Sequence, residues 1–449
     1  MRPAIVRHLR NLPPLRAGLA LALGVVLVVL LASGGDDGDD RKKPAPAPAP
    51  RAAAAPAGSF LARIVPSPAT GLPGARVPGV IRRLVARLPA ERKAAQLMLV
   101  GFQGRDPSAT FFRTLRRSDF GGVVFERRNY RDSVQLEAMT ASVANATARK
   151  NHEPPLMLAR QAGGEQSAFP DFPPAGEPGE LAGLPDAVDQ FADTTRALRA
   201  VGLNGVIGPA VDVAPNEAGA LGTRAFSDQP DEVAAFAKAG VAAFRKAELL
   251  SGVEHFPGIG GATQHTDEGP AQVGLSLDEL RERDLVPFRA AIAAGAPAVV
   301  VGHASYATDD FVLPASLSRT LATDVLRGGL GFRGIAISDD LAAGAIVTTQ
   351  PSLPKAAVDA IVAGVDMVWL SGPPGVQAKV YRTILAAIRK GTISRGRLDT
   401  AVTRIITVKR ELGLRVRRRT PPPQYPNAAN PGSGQVEPVA PGAAPPPAP

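Results

Sequence analysis

Cysteine is absent from all 449 residues of the chain. Without thiols the chain has no disulfide framework, no thiolate metal site, no cysteine nucleophile and no residue for a lipoprotein anchor. Two other signatures are also missing: no cluster of His, Asp or Glu has metal-ligand spacing, and no glycine-rich loop of the phosphate-cradling kind occurs. We therefore expect neither a metal nor a cofactor.

Acidic residues are nearly missing from residues 1–16 and 415–449, and this asymmetry explains most of the net charge of +10. The first segment contains four arginines and no acid, and the second contains four arginines and one glutamate. The central part of the chain is close to balanced. A nucleic-acid partner is therefore not expected.

An uncharged run dominated by Leu, Val and Ala covers residues 17–35. It is long enough to cross the hydrocarbon layer as a helix, and the basic residues 1–16 predict a cytoplasmic N-terminus with the remainder outside. A signal peptide cleaved near Ala32 is the rival interpretation. We expect a single-pass anchor in the cell membrane, or a secreted protein if the segment is cleaved.

Two proline- and alanine-rich segments flank the central part. Residues 36–60 combine an acidic cluster, a basic cluster and alternating prolines, and residues 415–449 are basic and then proline-rich. Neither segment can bury enough apolar surface to fold, so both are predicted to be disordered. The first would act as an extended spacer outside the membrane.

Residues 61–414 show a different sequence pattern, in which short apolar runs alternate with helical stretches. The helical stretches lie at 186–201, 231–250, 276–294 and 376–389. This alternation predicts an α/β fold, a (β/α)8 TIM-type barrel that forms a single catalytic domain, because helices connect parallel strands. An open doubly wound sheet fits less well, since no GxGxxG turn follows the first strand. The eight strand candidates are 96–102, 121–125, 155–159, 205–207, 252–255, 298–303, 334–338 and 366–370.

Polar side chains stand at the ends of these strand candidates, where a barrel of this kind places its catalytic site. Acids directly after a buried strand are costly unless solvated or paired, so Asp339 and Asp340 indicate a carboxylate at a pocket floor. The alternative is that Asp340 caps the next helix and Asp339 is a structural acceptor. His303 is equally consistent with packing. The other strand-end residues are Arg160, Asp212, Glu254 and His255.

The stretch at 252–270, GVEHFPGIGGATQHTDEGP, joins an apolar run to a Gly/Pro turn and then to His265, Thr266 and Asp267. Three of the five histidines of the chain, His255, His265 and His303, fall in or near it. Titratable side chains on a glycine-rich loop after a strand are typical of an enzyme site. The alternative is that these loop residues are merely solvent-exposed.

Several short motifs follow one another between about residues 94 and 414: GGVVF at 121–125, Asn129, GG at 163–164, RAF at 224–226, HFPG at 255–258, GH at 302–303, PASLS at 314–318, GFRG at 331–334 and SDDL at 338–341. In this order they resemble the N-terminal barrel of glycoside hydrolase family 3, and its single-domain β-N-acetylhexosaminidases in particular. The resemblance implies release of terminal N-acetylglucosamine from β-linked glycans such as cell-wall fragments, as in peptidoglycan turnover. The partner would be a carbohydrate.

The resemblance also implies residue roles. The first Asp of the SDD motif is the family's nucleophile, here Asp339, while Arg224 and His255 match sugar-binding positions and Asp212 matches an acidic position after the fourth strand. The family's proton donor is the His of an Asp-Ser-His triplet, whose place is taken here by His265-Thr266-Asp267. Either His265 donates with Asp267 as its partner, or Asp267 is itself the acid, or proton donation is impaired.

Two further positions depart from the family. Arg160 stands where the family has an Asp, and Glu254 stands where it has a Lys, so the hydrogen-bonding roles at these positions are exchanged. Both residues are expected on the pocket rim, where they would form an ion pair. These changes leave two hypotheses open: an active retaining glycosidase, or an impaired barrel that binds wall glycan or a protein without turnover.

Overall fold

The computed structural model describes residues 77–107, 110–148, 152–215, 219–309 and 311–425. The predicted membrane segment at 17–35 and the predicted linker at 36–60 lie outside these residues, as does the predicted start of the barrel domain at residue 61. Within the described ranges, no helix is both long enough and apolar enough to span a membrane.

Eight parallel strands close into a barrel, which confirms the predicted architecture. Around the barrel the order is β1-β10-β9-β7-β5-β4-β3-β2, and β1 pairs with both β2 and β10. The short strands β6 and β8 pair with each other outside the barrel. The strands are β1 (Met98–Val100), β2 (Gly122–Phe125), β3 (Leu156–Arg160), β4 (Gly205–Ala210), β5 (Leu250–Phe256), β6 (Gln272–Val273), β7 (Ala298–Val301), β8 (Ser305–Tyr306), β9 (Ile335–Asp340) and β10 (Met367–Leu370).

Helices surround the barrel and cover its outer face. Since the strands are buried on both faces, they read in the sequence as continuous apolar runs, with β2, β4 and β5 buried at every position. The helices are α1 (Gly79–Arg87), α2 (Ala90–Gln96), α3 (Thr110–Leu115), α4 (Ser133–Thr147), α5 (Leu184–Ala200), α6 (Pro230–Lys246), α7 (Leu277–Glu282), α8 (Leu285–Ala293), α9 (Gly344–Val347), α10 (Leu353–Ala363), α11 (Pro374–Lys390) and α12 (Arg395–Glu411), with a π-helical segment at Thr320–Gly329.

The predicted helix at 276–294 is in fact two helices, α7 and α8. The predicted capping box of Ser276 and Glu279 is present at the start of α7. The break falls at Arg283, whose backbone leaves the helical region with φ −120° and ψ −81°. Arg283 donates from Nη2 to the carbonyl of Val213 at 2.5 Å, and Asp284 is fully buried. These tertiary contacts therefore override the continuous helical pattern of the sequence.

An ion cluster lies at the opposite end of the barrel from the predicted site. Asp366, directly before β10, contacts Arg327 at 2.6 Å, Arg397 at 3.0 Å and Arg404 at 3.1 Å. A second contact joins α12 to α2, where Lys409 Nζ donates to Oε1 of Gln96 at 2.8 Å. Helix α12 is thereby fixed to the segments that directly precede β1 and β10.

Part of the segment predicted as a disordered tail is packed on the barrel domain. Arg419 exchanges two backbone hydrogen bonds with the side chain of Asn145, at 2.9 and 3.0 Å. Its guanidinium donates to Thr140 Oγ1 at 3.2 Å and lies where a Cβ on Gly202 would stand. These specific contacts hold Arg419 on the barrel domain, although the composition of its segment is basic and then proline-rich.

Candidate active site

Charged side chains converge at the C-terminal ends of the barrel strands. Arg160 ends β3, Glu254 and His255 lie near the end of β5, and Asp339 lies near the end of β9. Parallel strands bring these ends to one face. Contacts to Arg160 bring Glu254, Asp267 and Asp339 into one cluster.

Asp339 is completely buried, and its two carboxylate oxygens differ. Oδ1 accepts from the backbone N–H of Asp340 at 2.8 Å and from Nη2 of Arg160 at 3.1 Å. Oδ2 has no hydrogen-bond partner among the described residues. Burial raises the pKa of Asp339, but Arg160, His255 and His303 outweigh it and lower the pKa below its usual value. The result is an ionised carboxylate with one oxygen fixed and one available.

Arg160 is the central cation of this cluster. Besides Asp339, it contacts Asp267 at 3.5 Å through Nη1 and Glu254 at 3.8 Å through Nη2. Its guanidinium carbon lies 5.1 Å from the ring centroid of Trp369, in a cation–π contact. Burial disfavours its charge, but the carboxylates outweigh burial and raise its pKa. Arg160 therefore stays charged while it holds three acids.

The predicted ion pair of Arg160 and Glu254 is present, but its predicted place on the pocket rim is wrong for Glu254. Glu254 is only 2% exposed, because it belongs to β5 and points into the barrel. Burial raises the pKa of its carboxyl, against the opposing effect of His255 and Arg160. Its Oε2 has no hydrogen-bond partner among the residues that the structure describes.

His255 is held between two carboxylates. Its Nδ1 donates to Oδ2 of Asp212 at 2.8 Å, and its Nε2 lies 3.4 Å from Oε2 of Glu254. Burial lowers the pKa of His255, but Glu254 and Asp212 outweigh it and raise the pKa to about 9. Asp212 is 1% exposed and also accepts from the backbone N–H of Ile259 at 2.8 Å. Asp212 therefore fixes the orientation of His255, and its own role in substrate binding stays a prediction.

His265 and Asp267 form a pair on the loop after β5, with His265 Nδ1 3.5 Å from Asp267 Oδ2. Nε2 of His265 lies 3.0 Å from Nη1 of Arg224. The backbone N–H of Asp267 donates to Nδ1 at 3.2 Å, and a guanidinium can only donate, so both ring nitrogens of His265 face donors. Burial is the main reason that the pKa of His265 is lowered to about 4, so the ring is neutral near pH 7.

Arg224 uses its guanidinium both within its own loop and in a contact to the loop after β5. Its Nε donates to the carbonyl of Leu221 at 3.2 Å and its Nη2 to that of Ala220 at 3.1 Å, while Nη1 contacts His265. The structure thus places Arg224 beside the site, where it fixes the orientation of His265.

Backbone hydrogen bonds dock the loop on the segment that follows β9. The N–H of Gly344 donates to the carbonyl of Asp267 at 3.0 Å, and that of Ala345 donates to the carbonyl of Thr266 at 2.9 Å. A Cβ on Gly344 would lie 2.7 Å from the Asp267 carbonyl oxygen. Glycine at this position therefore permits the approach that brings Asp267 beside the strand of Asp339.

His303 supports the site from behind, since both of its ring nitrogens are used inside the protein. Nε2 donates to the carbonyl of Asp340 at 3.0 Å, and Nδ1 lies 2.8 Å from Oγ of Ser316. His303 is 1% exposed, and its role in substrate binding stays a prediction. Asp340 accepts backbone N–H groups of Ala342 and Ser371, both at 3.0 Å, and so ties β9 to β10 rather than capping a helix.

The arrangement places two carboxylates on opposite nitrogens of one guanidinium. Asp339 contacts Nη2 of Arg160, and Asp267, with a side chain 42% exposed, contacts Nη1. Two carboxyl groups of this kind can carry out displacement at an anomeric carbon. In the described part of the chain, no group of three or more His, Asp or Glu side chains is arranged to hold a metal.

Comparison with known proteins identifies the family of the chain. The family described as glycosyl hydrolase family 3 N terminal domain matches residues 90–408. The chain belongs to glycosyl hydrolase family 3. It is therefore a glycoside hydrolase, as the motif resemblance implied.

Relatives of the family 3 chain include a beta-hexosaminidase of Stenotrophomonas maltophilia, which is 34% identical over 318 residues covering 67% of this chain and 92% of the relative. The solved structure of the beta-N-acetylhexosaminidase of Beutenbergia cavernae matches with a TM-score of 0.65 at 27% identity, covering 72% of this chain and 99% of that one. A family 3 beta-N-acetylglucosaminidase from a Paenibacillus species has a TM-score of 0.68 at 26% identity, covering 76% and 68%.

The sequence analysis did not predict two residues of this family 3 site, Trp369 and Glu126. Trp369, the single tryptophan of the chain, lies in β10 and supports Arg160, and its Nε1 is buried without a partner among the described residues. Its position in the strand candidate 366–370 could have indicated that it lies near the other strand-end residues. Glu126 directly follows β2, and burial raises the pKa of its carboxyl despite the nearby Arg128. Glu126 could have been predicted as a site residue in the same way as Asp339, because it is a carboxylate at the end of a strand.

Proposed function

We propose that the protein is a retaining β-N-acetylhexosaminidase that removes terminal N-acetylglucosamine from β-linked glycans of the cell-wall type, with Asp339 as nucleophile. The observation that carries the proposal is the pair of unlike oxygens on Asp339. Arg160 and the Asp340 N–H hold Oδ1, while Oδ2 is free. The beta-hexosaminidase relatives support the sugar specificity.

We assign proton transfer to Asp267 rather than to His265. A general acid needs a proton directed at the leaving oxygen. His265 has none to offer, because Nε2 faces the guanidinium of Arg224 and Nδ1 faces the backbone N–H of Asp267. Asp267 is the partly exposed carboxylate of the cluster, and a leaving group departs toward solvent. His265 would then help to orient Asp267 by accepting its backbone N–H at Nδ1.

The reaction follows as a double displacement. Oδ2 of Asp339 attacks C1 while Asp267 donates its proton to the glycosidic oxygen, and the bond from C1 to the leaving group breaks. The product is a glycosyl ester on Asp339. Water then attacks C1, Asp267 takes its proton, and Asp339 leaves as a carboxylate. The released sugar keeps the β configuration.

The proposal is tested with the purified protein and a nitrophenyl N-acetyl-β-glucosaminide. Asp339→Asn should lower kcat by at least about 10³-fold, since no covalent step remains. The anomer formed first, read by proton NMR, should be β. A slow fluorinated substrate should add one sugar mass to the Asp339 peptide of the wild type. Unchanged turnover by Asp339→Asn would rule the proposal out.

The rival hypothesis of binding without turnover was motivated by the changed site positions. The structure keeps Asp339, its free oxygen and a second carboxylate together, which supports turnover. The cellular location stays a prediction, with residues 17–35 as the anchor and the barrel outside the cytoplasm. Membrane fractionation of the full chain and of a chain lacking residues 1–35 would test it.

A further inference from the structure

Helix α12 lies across the N-terminal ends of the barrel strands, at the end of the barrel away from Asp339. Lys409 donates to Gln96 just before β1, and Arg410 contacts Glu153, which precedes β3, at 2.7 Å. Helix α1 packs against α12. These two helices therefore form part of the surface at the end of the barrel opposite the catalytic site.

Helix α1 directs three arginines toward solvent. Its apolar residues Ile81 and Val85 are buried, while Arg82, Arg83 and Arg87 are exposed, and the helix contains no acidic residue. Arg83 and Arg87 stand four residues apart on one face, where like charges repel each other. Arg82 and Arg83 lie nearer the N-terminus of the helix, where the helix dipole does not stabilise a cation. The positive charge of α1 is therefore not explained by the stability of the domain.

The segment after α12 adds further arginines at the same end of the barrel. Arg415, Arg417 and Arg418 are exposed. The next residue, Arg419, holds this segment in place, because its Nη1 donates to the carbonyl of Val201 at 3.4 Å, shortly before β4 begins. The exposed arginines of this segment thus lie near the N-terminal end of a barrel strand, as those of α1 do.

Together these residues form a surface that we term the basic face: Arg82, Arg83, Arg87, Arg415, Arg417 and Arg418. None of these arginines makes an ion pair within the described ranges. Carboxylates at this end of the barrel have partners of their own: Glu91 with Arg389 at 2.8 Å, Glu248 with Arg199 at 3.5 Å, and Glu411 beside Arg245. The basic face therefore has an excess of positive charge.

Exposed valines stand among these arginines. Val80, 64% exposed, lies one turn before Arg83 on α1, and Val416, 39% exposed, lies between Arg415 and Arg417. Cations mixed with apolar side chains are typical of segments that bind in the headgroup layer of a bilayer. A nucleic-acid backbone offers no apolar layer for a valine to enter. The composition of the basic face therefore favours a lipid surface.

We propose that the basic face binds an anionic lipid bilayer and so directs the catalytic end of the barrel away from the lipid. Each arginine close to anionic headgroups strengthens such binding by about fivefold. The sequence supports this partner, since residues 17–35 are predicted to span a membrane and would raise the local concentration of lipid. A tether alone leaves the barrel free to turn, whereas the basic face would fix its orientation.

The test measures which end of the barrel approaches the lipid. Because the chain has no cysteine, a single introduced cysteine carries a fluorophore at one known position. Thr392→Cys labels the loop between α11 and α12, and Gln229→Cys labels the catalytic end just before α6. The full chain is placed in vesicles with a headgroup dye as acceptor, made of phosphatidylcholine alone or with about one-third phosphatidylglycerol. Energy transfer from position 392 should rise with the anionic lipid and exceed that from position 229.

Charge variants separate the basic face from residues 1–35, which all of them keep. In Arg82→Gln/Arg83→Gln/Arg87→Gln the rise in energy transfer should shrink at least about fivefold. The wild type should lose the rise in about 0.5 M salt, because screening weakens such contacts. Arg82→Lys/Arg83→Lys/Arg87→Lys keeps the charge and should keep the rise.

The matched control removes three exposed arginines from loops at the catalytic end, Arg105→Gln/Arg127→Gln/Arg319→Gln, and should also keep the rise. Equal transfer from positions 392 and 229 in anionic vesicles overturns the inference, as does an unchanged rise in the glutamine variant of α1. A short DNA duplex that abolishes the rise at equal phosphate concentration would overturn it in favour of nucleic acid. Turnover of a soluble glycoside by the α1 variant should match the wild type, so the proposed function is tested separately.

Discussion

Nη2 of Arg160 lies 3.1 Å from Oδ1 of Asp339, although the family resemblance places an aspartate at position 160. The same guanidinium contacts Glu254 and Asp267. A cation from β3 thus holds both acids assigned to the double displacement and a third acid from β5.

The first prediction concerns the acidic side of the pH profile. Arg160 is the largest favourable influence that lowers the pKa of Asp339. In Arg160→Gln, the pKa of Asp339 should rise, so the acidic limb of kcat/KM against pH should move upward by about one unit or more. The exposed Arg319→Gln should leave the limb in place. An unmoved limb in Arg160→Gln would show that the pair does not control ionisation of the nucleophile.

The second prediction distinguishes Asp267 from His265 as the proton donor. Asp267→Asn should lower kcat/KM by about 10² to 10⁴-fold for a glycan with a poor leaving group, and far less for a dinitrophenyl glycoside, which needs no proton. Azide should restore turnover and yield the β-glycosyl azide. His265→Gln should lack this dependence on the leaving group. The reverse pattern between the two variants would make His265 the donor.

The third prediction concerns the docking of the loop after β5. In Gly344→Ala the new Cβ would lie 2.7 Å from the carbonyl oxygen of Asp267, so the loop must move. The kcat for poor leaving groups should fall about tenfold or more, since small displacements of a catalytic group are costly. Gly396→Ala, with no atom within 4 Å of the added Cβ, is the control. Equal activity of both variants would argue against the docking contact.

The fourth prediction is a pH dependence of stability from His255. Its pKa is about 9 in the folded protein, above the usual value of 6.5. The stabilisation is therefore fully present below about pH 6.5 and is lost as pH rises through 9. Between these values the wild type should lose on the order of 3 kcal/mol more unfolding free energy than His255→Gln does. Urea unfolding at several pH values measures it, and parallel curves for the two proteins would contradict it.

The sequence was sufficient for the barrel and for the pairing of Arg160 with Glu254. Strand runs and helix caps are local patterns, and parallel strand ends must meet at one face. The roles of His303 and Arg224 were not predictable in this way. Both depend on which acceptor faces each nitrogen after the barrel closes, such as the carbonyl of Asp340 for His303. The break between α7 and α8 likewise depends on a contact with Val213, far away in the sequence.

The pairing of β1 with β10 affects how the protein folds during its synthesis. During synthesis, β1 leaves the ribosome long before its neighbour, and its free edge stays open until residues 367–370 arrive. Helix α12 follows later still, with Arg397 and Arg404 for Asp366 and Lys409 for Gln96. Chains halted before residue 367 would therefore present an unpaired strand edge, a substrate for chaperones and proteases rather than a smaller working enzyme.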